Sequence, residues 1–568
     1  MSSDSHSTVL RIFSTEIWIN IVNILRWDSW TTLHSLNLSC QAFHQIVSPV
    51  LFRTLQLHFP PAKKTYRAQI NRSPALPCPF QEFRVRTATG FKTSTYISSP
   101  APRKERRIHA LLESDVGHTI QHHVRILIVW YGHGYEEGKH SQPIQRLVEN
   151  LPNLEAIRWR GIPFPPNLAQ NLSDRLSPPQ LYYEGLPQAI TSNSLFIGAS
   201  FIKSLSITCE PAPVEEHVVN KLGKLILSLS RLERLILKQA GDRYWRDNKT
   251  LQNPAFRLAP DSKLPPSLRI LSFTNFTFNE EQAAAWARCA RGVEYLALDG
   301  YMQLSTLLEA LSGPLSGLKS LTLRVLNDED HPIGPQFLAI LDRFLQSIAK
   351  LECFSTYNFP KSVLVSVIRY HGNHLRQLRF RETGYSRIHL QGPEYKDCLF
   401  SRDELYQLAN ELPHVERLGL DLRFEDKIHY DYLDALARFS SLKYLELNTP
   451  SYRGAAVNAY SSKFWLDKSV TREVFQYVDA RTERRLAGLD IKVGEWEWMF
   501  VRGRNRTIRD AWIYAAWRES DVPNLVHVTC LSCEFGGYLH LSEDDIYEQT
   551  VHAAGLWPSD RSNVGPVI

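Results

Sequence analysis

The chain has 568 residues, 43% hydrophobic and 22% charged, a balance that excludes global disorder. Its longest apolar run, Ile17 to Leu25, is nine residues with two asparagines, short of the roughly 18 needed to span a bilayer, so no membrane partner is expected. The net charge is +6, and the eight cysteines are too sparse for a disulfide scaffold, which fits a reduced protein of the cytoplasm, the nucleus or both. The opening MSSDSHSTVLRIF lacks the basic-then-apolar order of a secretory signal.

In chain order, the first predicted unit spans residues 10–50 and contains three short helices. Ser14 or Thr15 caps the first, with an apolar stripe at Ile17, Ile21, Ile24 and Leu25. Asp28 and Ser29 offer a second cap, before a stripe begun by Leu33 and Leu36. A third helix is predicted from Ser39 to Val47, ending before Ser48-Pro49 because the residue preceding proline is pushed out of the helical region. Large side chains, including Trp18, Trp27 and Trp30, fall on more than one helical face, so this small unit should dock on a partner or on the chain that follows.

This segment resembles the F-box, whose usual form opens Leu-Pro-x-Glu-Ile or -Leu. Here the opening is Phe13-Ser14-Thr15-Glu16-Ile17, followed by Ile21, Ile24 and Leu25, then Leu33, Leu36 and Leu38, then Ser39-Cys40 and Phe43. Phe13-Ser14 stands where Leu-Pro is usual. The exit SPVLFRTLQL, Ser48 to Leu57, is similar to the junction found in filamentous-fungal F-box proteins. The resemblance implies a domain that binds the Skp adaptor, with Phe13, Ser14, Ile17, Ile21, Leu33 and Leu36 as the adaptor-facing residues.

Residues 51–59 read as a first repeat strand. Between Pro60 and Ala110 lie eleven Lys or Arg, two acids and seven prolines. With few apolar clusters, this 60–110 insert should be a basic loop or disordered. PRKERR at 102–107 reads either as a solvated basic run or as a nuclear-import or nucleic-acid contact.

From 111 to 495 an apolar pattern at first, fourth and sixth positions recurs. Its clearest copies are LERLIL (232–237), LRILSF (268–273), VEYLAL (293–298), LKSLTL (318–323), LRQLRF (375–380), VERLGL (415–420), LKYLEL (442–447) and LAGLDI (486–491). Weaker copies begin at Phe52, Val124, Leu154, Ile202 and Leu351. Each closing triplet predicts a short strand with one buried face. Helical segments precede most of them: one capped by Asn279, one opening at Ser401 with Glu404 in a capping-box arrangement, and one with Phe337, Ile340, Leu341, Phe344, Leu345 and Ile348 on a single face. Such units bury their apolar faces only by stacking.

The pattern resembles the leucine-rich repeat, although Ala240, Phe276, Tyr301, Leu326, Arg423 and Pro450 stand where that family usually has Asn or Cys. The fold expected is therefore α/β, a short three-helix F-box followed by an irregular leucine-rich-repeat solenoid of horseshoe shape. An ordinary doubly wound sheet is the structural alternative.

On the strand face away from the leucines the pattern places Arg234, Tyr295, Thr322, Arg324, Tyr357, Gln377, Arg379, Arg381, Arg417, Asp421 and Tyr444. Of these, Arg324, Tyr357, Arg379, Arg381 and Arg417 are the candidate target-binding residues, because guanidinium groups engage acidic or phosphorylated segments bidentately. The alternative is an ordinary mixed polar face. Residues 496–568, rich in tryptophan, read as a cap over the last repeat or as a pocket.

Other motifs carry little chemistry. Cys530 and Cys533 have only His527 and His540 nearby to complete a metal site, and His118 and His122 lack the glutamate of a zinc-protease helix. GHGYEEGKH (132–140) has the wrong spacing for a phosphate loop. No catalytic residues, metal or cofactor are expected. The resemblance implies a substrate-recognition subunit of an SCF-type ubiquitin ligase, with the adaptor and cullin complex and an unnamed target as partners. The alternative is a nucleic-acid-associated scaffold built on the basic insert and the C-terminal arginines.

Overall fold

The structure is a computed structural model. It describes residues 18, 21–22, 35–36, 38–39, 41–59, 108, 111–131, 141–161, 163–191, 194–209, 216–239, 258, 263–274, 276, 278–300, 304–325, 333–357, 359–381, 400–422, 428–449, 468–493, 512–518 and 526–532. Apart from Ile108, the basic insert lies outside these residues, as does most of the segment from 496 onward.

The protein is mixed α/β, with one open sheet whose strands follow chain order. They are β1 (Thr54–Phe59), β2 (Ile126–Tyr131), β3 (Ala156–Arg160), β4 (Gln180–Gly185), β5 (Ile202–Cys209), β6 (Arg234–Gln239), β7 (Ile270–Thr274) and β8 (Tyr295–Gly300). They continue as β9 (Ser320–Val325), β10 (Cys353–Tyr357), β11 (Gln377–Arg381), β12 (Arg417–Asp421), β13 (Tyr444–Thr449), β14 (Gly488–Val493), β15 (Trp512–Arg518) and β16 (Val526–Ser532). Neighbours from β1 to β14 are parallel. Parallel neighbours need crossovers, and between most of them the described residues include a helix.

Every predicted repeat copy coincides with a strand. One core row runs Leu235, Leu271, Leu296, Leu321, Phe354, Leu378, Leu418, Leu445, Leu489 across nine strands. The next row runs Leu237, Phe273, Leu298, Leu323, Thr356, Phe380, Leu420, Leu447, Ile491 in the same register. The buried faces of the helices share this core, including Ile340, Leu341, Phe344 and Leu345 of Pro335–Ser347. Burying each such side chain contributes about 1.5–3 kcal/mol, which drives the stacking. Thr356 is the odd member: it is fully buried, and its hydroxyl has no hydrogen-bond partner.

Two of the predicted caps form as expected, while those at Ser14 or Thr15 and at Asp28 and Ser29 lie outside the described residues. Asn279 accepts from the Gln282 amide at 2.9 Å, and Ser401 with Glu404 closes a capping box. Phe276, where a repeat would usually carry Asn or Cys, is buried with its ring 6.0 Å from that of Phe273, so this turn is plugged by an apolar contact.

Four features depart from expectation. The third N-terminal helix covers Gln41–Leu51 and runs through Pro49. Val47 is fully buried and Phe52 packs on the same small core, so tertiary burial outweighs the proline penalty. Strand β4 was not predicted, because Pro178 replaces the first apolar residue of the pattern, leaving only Leu181 and Tyr183 to face inward. Beyond β14 the sheet reverses: β15 and β16 are antiparallel, within the part of the chain read as a tryptophan-rich cap. Several side chains expected on an open strand face are buried, as described below. Among the described residues no helix is long and apolar enough to cross a membrane.

Candidate functional site

Of the adaptor-facing candidates, Phe13, Ser14, Ile17 and Leu33 lie outside the described residues. Ile21 is helical and partly buried. Leu36 packs against Val22 and Val47 in a small core that also takes Phe43, Ile46 and Phe52, and the Trp18 and Phe43 rings meet edge-on at 5.0 Å. Leu36 thus spends part of its surface inside the unit. Leu38, which carried no assigned role, is 72% exposed.

The second candidate surface is the sheet face away from the main core. Alternation along each strand puts Arg324, Tyr357, Arg379, Arg381 and Arg417 there, and the register lines them up: Asp299, Arg324, Tyr357 and Arg381 occupy one row. Gln377, Arg417 and Tyr444 occupy another.

The row is not an open cationic strip. Arg381 is only 2% exposed and pairs with Asp421 at 3.3 Å. Tyr295, Thr322 and Asp421 are also buried. Strands stand about 4.8 Å apart, so long side chains lie down over their neighbours, and an acid at matching register holds the guanidinium flat. The Arg324 Nε stands 3.7 Å from Asp299.

Arg379 reaches farther. Its guanidinium bonds Glu446 at 2.6 Å on β13, two strands away. The intervening register position is Gly419, where an added Cβ would stand 2.5 Å from the Arg379 Cγ. The Arg417 guanidinium lies 4.3 Å from the centre of the Tyr444 ring, within cation–π range. Toward the other end of the sheet, Arg158 and Arg160 flank Glu184 at 4.0 and 3.3 Å. Ile236, Ile270 and Tyr295 form a small apolar cluster of their own on this face.

Chemically, this arrangement is largely self-neutralised. Three of the five candidates already share a carboxylate of the chain. The acidic partners Asp299, Asp421 and Glu446 went unassigned as pairs in the sequence, though stacking the repeats by their leucines brings Asp299 and Asp421 to the same column as the arginines.

Among the described residues no group of three His, Cys, Asp or Glu converges as a metal site. His118 instead contacts the Leu112 carbonyl at 3.0 Å. Burial pushes the thiols of Cys209 and Cys353 up to about 12, so both stay protonated at neutral pH. Burial likewise lowers the His371 imidazole, whose Nε2 lies 3.0 Å from the Leu345 carbonyl.

The fold defines a mixed α/β protein with an open, sequentially ordered sheet. No family model matches the chain, and no curated protein matches it.

Proposed function

We propose that the chain is the substrate-recognition subunit of an SCF-type ubiquitin ligase. In this reading residues 10–50 are an F-box that binds the Skp adaptor, which joins the chain to the cullin. The strands and helices behind it form an irregular leucine-rich-repeat solenoid, a horseshoe that holds a target protein. The chain is not itself catalytic. It accelerates transfer by holding target lysines close to the charged conjugating enzyme.

The observation that carries this reading is a juxtaposition. The segment with the F-box-like residue order leads through helix Gln41–Leu51 directly into β1, the first of fourteen parallel strands in chain order. The ion pairs on the strand face refine the target's chemistry. Because Arg324, Arg379 and Arg381 already contact carboxylates, docking by shape and hydrogen bonding is favoured over capture of a phosphate.

The test is co-purification of the full chain with the Skp adaptor and cullin. The wild-type protein should retain both. Phe13→Asp combined with Ile17→Asp should abolish adaptor capture while circular dichroism and the retained target stay unchanged. A folded double variant that binds adaptor like wild type overturns the interface. A wild-type chain that captures no adaptor overturns the ligase reading and returns the nucleic-acid scaffold, whose mark is steep salt dependence of DNA or RNA binding.

A further inference from the structure

Just before each strand from β6 to β13 stands one residue whose backbone amide bonds to the carbonyl of its counterpart on the preceding strand, the first such carbonyl being that of Lys203 in β5. Starting from that Lys203 carbonyl, the row runs Lys203, Glu233, Arg269, Glu294, Lys319, Glu352, Arg376, Glu416 and Lys443. Their signs alternate without a break. Glu294 sits between Arg269 and Lys319 and pairs with both, the latter at 2.7 Å. Lys203 pairs with Glu233, and Lys443 with Glu416 at 2.9 Å. The ladder ends at Ala487 on β14, and Arg53 beside Arg125 shows that the first strands do not follow it.

Partly exposed pairs of this kind add little stability one by one. Their value lies in what they forbid. The apolar code is nearly the same in every unit: LERLIL on β6 and VEYLAL on β8 would seat equally well in the core beside a given neighbour. Hydrophobic pattern therefore cannot distinguish the next strand from the one after it.

Charge can. Looping out any single unit between β5 and β13 places like beside like: Glu233 against Glu294, Arg269 against Lys319, Glu294 against Glu352. At a strand spacing of about 4.8 Å such contacts are destabilising and only partly screened by salt. Skipping two units would restore opposite signs, but it strips two helices and two strands from the core.

We infer that this alternating row fixes strand order during folding, by making every one-unit pairing error between β5 and β13 a like-charge contact. It is a specificity element separate from the target face.

The experiment compares four versions of the full chain. Glu294→Gln removes the charge, and Glu294→Lys inverts it. A nine-fold variant inverts every sign from Lys203 to Lys443, so alternation is kept while each residue changes. After unfolding in urea, each is refolded at low and at high salt, and the native fraction is read by circular dichroism and gel filtration.

The inverted single variant should refold at low salt with a native-to-misfolded ratio about fivefold or more below that of Glu294→Gln, and high salt should narrow the gap. The nine-fold variant should refold like wild type. If the single inversion matches Glu294→Gln at both salt levels, the inference fails. It also fails if the nine-fold inversion refolds as poorly as the single one.

Discussion

On β11, Leu378 and Phe380 point into the core, while the alternating Gln377, Arg379 and Arg381 lie on the opposite face. The core residues are nearly interchangeable from unit to unit, since any large apolar group satisfies the same row. The opposite face is not interchangeable: Arg381 requires Asp421, and Arg379 requires both Glu446 and the missing side chain at Gly419. Non-directional burial builds the array, and directional pairing tells its units apart.

Truncation on the core face should give the largest effect. Phe380 is fully buried, with its ring 5.8 Å from that of Phe400. Phe380→Ala should cost about 3–5 kcal/mol in urea unfolding. On the opposite face, Asp421→Ala removes the carboxylate that pairs with the buried Arg381 guanidinium and should cost about 3 kcal/mol, whereas Arg381→Met with Asp421→Leu should recover most of that loss. If the double variant is as unstable as the single, the pair does more than neutralise itself, and the comparison must be redrawn.

Thr356→Val tests the exception in the core row. Replacing an unsatisfied buried hydroxyl with a methyl of similar shape should raise stability by about 1 kcal/mol.

The smallest effect concerns pH. Burial opposes ionisation of Glu404, but hydrogen bonds from the Ser401 backbone and Lys361, with the Lys361 charge, outweigh it and hold the carboxyl below the usual range. A lowered folded value means that its contribution is full above the unfolded pKa, near 4.3, and is lost as pH falls through the folded value. Glu404→Gln should lower the melting temperature slightly at neutral pH and leave it nearly unchanged in acid, which flattens the acid limb of the profile.

Much of the sheet was legible because two apolar positions per strand, spaced by two, must face one core. Where those positions changed type, the reading failed: β4 hides behind Pro178, and β15 and β16 fall outside the repeat phase. The helix through Pro49 could not be read locally, since what holds it is Val47 in a core built from distant residues. The candidate face was legible as a set of positions but not as a set of pairs. A leucine pattern says which way Arg381 points, and only the register says that an aspartate waits beside it. The adaptor-facing residues rest on the F-box resemblance, with Ile21 and Leu36 alone among the described residues.

Gly419 has one more consequence. By letting Arg379 pass over β12 to Glu446, it braces β11 directly to β13, so two strands that are not neighbours in the sheet share a side-chain tie. An array of parallel strands pulled from its two ends is a row of links in series, and such a row yields at its weakest joint. The brace makes β11 to β13 a stiff segment, and under load the first separation should fall elsewhere along the sheet.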